Sequence, residues 1–281
     1  MALPKYCTPM ERVGFVGFKV YCTAVLFFLV APIIIIVPLS FNATPYFSFT
    51  EGMLTLDPSA YSLRWYQDMI DNPQWFNALK NSAYIAIAAT IISTILGTIA
   101  ALGLANRKMP FRNAVMALLI SPMIVPVIIS AAGMYFFYTR FGLSQTYLGI
   151  ILAHAALGTP FVVITVTATL SGFDHSLVRA GASLGATPVY TFFNVTLPLI
   201  RPGVISGGLF AFGTSFDEVV VALFITGAEQ RTVPRQMWSG IREQISPTIL
   251  AVASILILMS VMLLLTLELL RRRNAKLRGL S

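Results

Sequence analysis

Asp217 and Glu218 stand side by side in Ser215-Phe216-Asp217-Glu218-Val219-Val220-Val221-Ala222-Leu223-Phe224, an otherwise apolar run. An ionised carboxylate at the centre of a membrane helix costs about 2.5–3.5 kcal/mol even on the lenient insertion scale, so such a pair belongs in a bundle interior or a water-filled cavity. The chemistry it offers is attraction of a cation. An ammonium group is a compact charge with several donors, which pairs with carboxylates and stacks on aromatic faces. Read as one continuous helix, the run sets the two acids about 100° apart. Asp217 then shares a side with Phe210, Gly213, Thr214, Val220 and Phe224, and Glu218 with Thr214, Val221, Ala222 and Ile225. Asp217 is expected to face a pathway, with Phe216, Thr214 and Phe224 beside it and Glu218 assisting or meeting a neighbour. The competing reading holds the acids in an interhelical hydrogen bond or against an Arg of a partner.

Other polar groups in apolar surroundings are read more plainly. His154 is expected to pack or to hydrogen-bond between helices rather than to relay protons. Glu268 lies three and four residues before Arg271 and Arg272, the spacing of a helical ion pair. Arg231, Arg235, Arg242 and Glu243 either meet an external partner or are solvated. Cys7 and Cys22 are assigned no role, and no nucleophile with a placed base or metal motif supports an intramembrane enzyme.

The elements that must position these residues follow from composition. Of 281 residues, 57% are hydrophobic and 11% charged, and the mean hydropathy is +0.79, well outside the range of a soluble domain. Apolar runs near 20–40, 82–105, 113–138, 147–170, 202–226 and 247–270 each reach the roughly 17–25 residues needed to cross a bilayer. The fold class is therefore an all-α membrane protein with six transmembrane helices. The first run exceeds the roughly 7–15 residues of a signal-peptide core and is read as a retained span. Asp217 lies 15 residues after Pro202, about 22 Å along a helix, which puts it in the outer half of the fifth span. Basic residues divide 13 to 6 between the two sides, placing both termini in the cytoplasm. The net charge of +8 is thus mainly a topology signal, and nucleic acid is not expected as a partner. The resulting organisation is a cytoplasmic segment 1–19, a six-span domain 20–270 and a basic tail 271–281. Between the first two spans, residues 41–81 are rich in aromatic rings, and Leu63–Ile70 is expected to lie along the membrane surface, as an anchor or as a dock for an external partner.

The loop 171–201 is long and has its own helix signals. Asp174 can cap a helix over His175–Leu184, with Gly185 as a left-handed stop. Thr187 and Pro188 can start a second helix reaching Asn194, which Pro198 is expected to end before Arg201-Pro202 restarts the chain as the fifth span.

Within that loop, Arg179-Ala180-Gly181-Ala182-Ser183-Leu184-Gly185, nine residues, then Val195-Thr196-Leu197-Pro198 resembles the EAA loop of permease subunits of bacterial ABC importers. That pattern reads Glu-Ala-Ala, three residues, Gly, nine residues, Ile-x-Leu-Pro. The spacing matches throughout, while Arg179 stands at the usual Glu, with milder departures at Gly181 and Val195. The resemblance extends to Leu63-Arg64-Trp65-Tyr66, His154, Pro160-Phe161, Gly172-Phe173-Asp174, Ser215–Val221 and the segment Pro234–Pro247, which look like the spermidine/putrescine branch. It implies a type I importer permease fold in the bacterial inner membrane. It also implies a coupling helix using Asp174, Arg179, Ala180, Leu184, Gly185, Tyr190, Leu197 and Pro198, seated in a cytoplasmic ATPase that is expected to be a dimer. A second permease subunit, usually a paralogue, and a periplasmic substrate-binding protein complete the implied assembly, embedded in membrane lipid. Related transporters also carry opines or 4-aminobutyrate. No Gly-x-x-x-x-Gly-Lys-Ser/Thr stands in the chain, so ATP, with Mg, is expected on the partner ATPase and no cofactor on this chain. The reading from another class is a secondary transporter coupled to protons through Asp217, Glu218 and His154.

Overall fold

The computed structural model describes residues 9–106, 109–243 and 245–277. Lys5, Cys7, Arg107, Lys108 and Arg278 lie outside the described residues, as do the side chains of Glu243, Arg271, Arg273 and Lys276. Among the described residues the structure is helical, with one isolated bridge between Asn42 and Tyr61. The chain divides into two compact units, residues 1–69 with 245–258, and residues 70–244 with 259–281.

In the first unit, α1 (Pro9–Leu39) carries Pro32 and Pro38 inside it and exposes apolar side chains on all sides, including Leu26, Phe28 and Ile34. A helix apolar all round, with most of its described side chains exposed, is suited to lipid or a partner helix. The segment after it is tied by short-range bonds. The buried Asn42 donates to the carbonyls of Tyr46 and Ser48, and its own carbonyl accepts the indole N–H of Trp65 at 2.7 Å. After the short helix α2 (Glu51–Leu54), α3 (Arg64–Asp71) keeps Leu63 and Ile70 exposed, as an interfacial helix requires. Trp65 instead turns inward.

The second unit is built on three long helices: α4 (Pro73–Ala105), α7 (Tyr147–Ser171) and α10 (Leu197–Asp217). Between α4 and α7 lies the third apolar run, which folds as α5 (Arg112–Ile124) and α6 (Val127–Arg140), bent by 102°. Pro126 has no N–H to donate and forces the residue before it toward extended backbone, and Val125 duly has φ −68° and ψ 135°. Among the described residues, five helices are long and apolar enough to span a membrane, and the bent pair, taken as one broken span, makes a sixth.

α7 and α10 pack through small residues at every fourth position of α10: Gly203, Gly207, Ala211 and Ser215. They meet Thr169, Thr165 with Val162, Gly158 and His154 in turn. A Cβ on Gly207 would lie 2.4 Å from Thr165 Oγ1 and 2.8 Å from Val162 Cα, so only glycine permits this approach. Around it Ala101, Val162, Val166, Leu170, Ile200 and Ala211 form one apolar core.

Two expectations for the fifth span are corrected. Pro198 does not end the preceding helix. After α8 (Ser176–Ser183) and α9 (Pro188–Thr191), one widened turn at Phe192–Thr196, in which Leu197 N–H reaches Phe192 O, carries the helix into α10. The wider turn accommodates the missing donor and the ring of Pro198 without a break. The helix also does not run on through the two acids. It ends at Asp217, Glu218 is extended (φ −73°, ψ 116°), and a short helix α11 (Val220–Ile225) follows. Val221, Ala222 and Ile225 of α11 are buried with Ile85, Ala131, Ile150 and Leu157. The unit closes with α12 (Val233–Glu243) and the later part of α13 (Thr248–Leu277), whose Glu268 pairs with Arg272 at 2.7 Å.

Candidate functional site

The break separates the two acids by role. Glu218 turns its carboxylate onto the start of α11, where Oε1 accepts the N–H of Val221 at 2.9 Å. That bond satisfies one of the amide groups a helix start leaves open. Asp217, at the end of α10, is exposed and has no hydrogen-bond or ion-pair partner among the described residues. Of the apolar neighbours expected beside it, Phe224 is partly exposed, Thr214 is half-buried, and Phe216 is buried and stacked on Phe212 with ring centroids 5.7 Å apart. The assumption of a 100° offset within one helix does not apply across an extended residue, so α11 side chains do not share Asp217's helical face.

Behind Asp217, the imidazole of His154 is 1% exposed, and its Nδ1 lies 2.8 Å from Ser215 Oγ. The expected interhelical hydrogen bond is present.

At the same end of the unit, a cavity of about 610 Å³ opens among Gln74, Asn77, Lys80, Tyr147, Glu229 and Arg231. Asn81, buried in α4, donates to the carbonyls of Glu229 (2.7 Å) and Arg231 (3.0 Å) and accepts from the Tyr147 hydroxyl at 2.9 Å. Ser82 accepts the N–H of Val233 at 2.8 Å. The Arg235 guanidinium donates to Thr226 and, at 2.7 Å, to Gly227 O. Arg231 donates to Gln236 at 3.0 Å. Arg231 and Arg235 thus tie down the backbone that follows α11, and neither is simply solvated. Sequence reading missed Asn81, Ser82 and their partners. The signal was two consecutive polar residues entering an apolar run.

At the opposite end, the loop 171–201 holds its first expected helix with each boundary shifted by a residue, while the second runs on through the widened turn into α10. Asp174 accepts the N–H and hydroxyl of Ser176 at 2.8 and 2.6 Å, and these bonds hold its carboxyl below the usual carboxylate range. Gly185 has φ +82°, the left-handed conformation that stops α8 and turns the chain. Thr187 Oγ1 accepts the N–H of Tyr190. Leu184, Val189, Tyr190 and Phe193 are 88%, 67%, 61% and 59% exposed, an apolar knob on two short helices. A depression of about 520 Å³ lies between them, lined by Gly181, Leu184, Gly185, Tyr190 and Val195. Arg179 and Ala180 are exposed on α8, and Leu197 and Pro198 form the base from which α10 rises.

The family description "binding-protein-dependent transport system inner membrane component" matches residues 93–276. The chain belongs to this family. The spermidine/putrescine transport system permease protein PotC of Haemophilus influenzae is 31% identical over 247 residues, 88% of this chain and 93% of that one. The putrescine transport system permease protein PotI of Escherichia coli K12 is 32% identical over 238 residues, 82% of each. Among solved structures, a bacterial ABC transporter involved in the import of alginate superposes with a TM-score of 0.69 at 15% identity, covering 96% of this chain and 99% of that one. An amino acid ABC transporter superposes with a TM-score of 0.56 at 18% identity, covering 74% and 98%. The expected permease fold is borne out. As a member of this transport family, the chain carries its exposed knob at one end of α10 and its exposed acid at the other, joined by one helical rod packed on α7.

Proposed function

We propose that this chain is one permease subunit of an ATP-driven polyamine importer of the bacterial inner membrane, with both termini cytoplasmic. The observation that carries the reading is Asp217. A carboxylate left exposed and without a partner among the described residues, at the end of a membrane-spanning helix, suits a passing ammonium group. The named substrates of the PotC and PotI relatives support the same chemistry. A soluble binding protein delivers substrate at the end holding Asp217 and the 610 Å³ cavity. Residues 171–201 dock by Leu184, Tyr190 and the adjoining Asp174, Arg179, Ala180 and Gly185 into a cytoplasmic ATPase, which holds the ATP and Mg. A second, paralogous permease completes the pathway. Because Leu197 and Pro198 join the knob directly to α10, a push on α8 and α9 moves the helix that carries Asp217.

The test is uptake of radiolabelled spermidine by the complete transporter in proteoliposomes, with ATP inside. Uptake that needs the ATPase, the binding protein and ATP is the expected result. Uptake by this chain alone, driven by a proton gradient, would instead establish a secondary transporter.

A further inference from the structure

Hydroxyl groups in the spans of this chain mostly bond back to their own helix. Thr159 donates to Ala155 O, Thr165 to Phe161 O, Thr169 to Thr165 O, Thr226 to Ala222 O and Ser254 to Leu250 O, while Ser93 donates both to Ala89 O and across to the backbone of α7 at Ala155 O. Ser215 departs from this pattern. Its hydroxyl meets His154 Nδ1 on α7 at 2.8 Å and has no other partner among the described residues. If the hydroxyl donates to Nδ1, the ring's Nε2 is the one group left unmet, and it is indeed buried without a partner. The reverse assignment would leave the serine hydrogen unmet as well, so we assign the first tautomer from the hydrogen-bond pattern.

An imidazole in this position is costly. It is 1% exposed among apolar neighbours with one nitrogen unsatisfied, a cost that a leucine or phenylalanine filling the same space would not carry. What the imidazole supplies and those side chains do not is the bond to Ser215. That bond falls in the last turn of α10, two residues before Asp217, at the point where Glu218 leaves the helix. Helix ends fray unless tied down.

We propose that His154 is a positioning residue, whose tether to Ser215 holds the last turn of α10 so that the Asp217 carboxylate stays directed into the substrate path. This inference rests on the pathway reading of Asp217.

The experiment is a double-mutant cycle read as spermidine uptake per assembled transporter, with ATPase and binding protein present. His154→Leu and Ser215→Ala are each expected to lower uptake by about tenfold, the scale of a displaced reacting group. Ser215→Ala is small enough to keep the packing intact should the larger change disturb folding. His154→Asn, which keeps a hydrogen-bonding atom near the place of Nδ1, is expected to recover most of the loss. Combined with Asp217→Asn, neither His154→Leu nor Ser215→Ala is expected to add a further loss, because both act through that carboxylate. Losses that multiply with that of Asp217→Asn, or a leucine variant as active as the asparagine one, would overturn the positioning role and leave the pathway reading standing. Undiminished uptake in Asp217→Asn alone would overturn the pathway reading, and the positioning role with it.

Discussion

Asp217 and Glu218 are adjacent in sequence and differ in every structural respect, because one ends a helix and the other begins the next. Glu218 is held by the amide of Val221, and a glutamine keeps an acceptor oxygen there. Glu218→Gln is therefore expected to leave thermal stability of the solubilised complex near wild type, while Glu218→Leu loses about 1 kcal/mol, the worth of a helix-start cap, seen as a lower melting temperature. Asp217→Asn is expected to leave stability unchanged and to reduce uptake of a cationic substrate, since its carboxylate has no structural partner to lose. Gly185 is the other residue whose chemistry is set by backbone. At φ +82° an alanine costs about 1–2 kcal/mol, and Gly185→Ala is expected to weaken ATPase coupling, measured as the ratio of substrate transported to ATP hydrolysed.

Between elements, the closest contact is that of α7 with α10. Gly207→Val would drive a side chain into Thr165 and Val162 at distances no real contact tolerates. A loss of about 3 kcal/mol or more is expected, visible as a collapse in membrane yield and melting temperature. The turn after α11 depends instead on a charge. Arg235 is half-buried and bonds Thr226 and Gly227, so Arg235→Ala leaves buried carbonyls unpaired. About 1–3 kcal/mol of destabilisation is expected, with the segment 226–232 gaining amide hydrogen exchange before the rest of the unit. The two residues that connect this turn to α4, Asn81 and Ser82, give it a fixed position beside Tyr147.

For the molecule as a whole, transport requires that an event at one end of α10 be felt at the other. Leu184, 88% exposed, stands with Val189, Tyr190 and Phe193 in one exposed apolar patch, the kind of surface that marks an interaction site. Leu184→Arg is expected to preserve the fold while abolishing ATP-dependent uptake, with loss of ATPase co-purification as the readout. Membrane residence, the apolar runs, the helix stop at Gly185 and the caps at Asp174 and Thr187 were legible in sequence, because each is written in neighbouring residues. A hydropathy window of about 20 residues averages over a single extended position. It therefore read the fifth span as straight and could not see the break at Glu218. The pairing of His154 with Ser215 joins positions 61 apart, and that of Asn81 with Glu229 joins positions 148 apart. Only tertiary structure decided these. Once backbone and polar groups are out of water, each must find a partner wherever packing brings one, and it is packing that leaves Asp217, of the two acids, exposed and without a partner among the described residues.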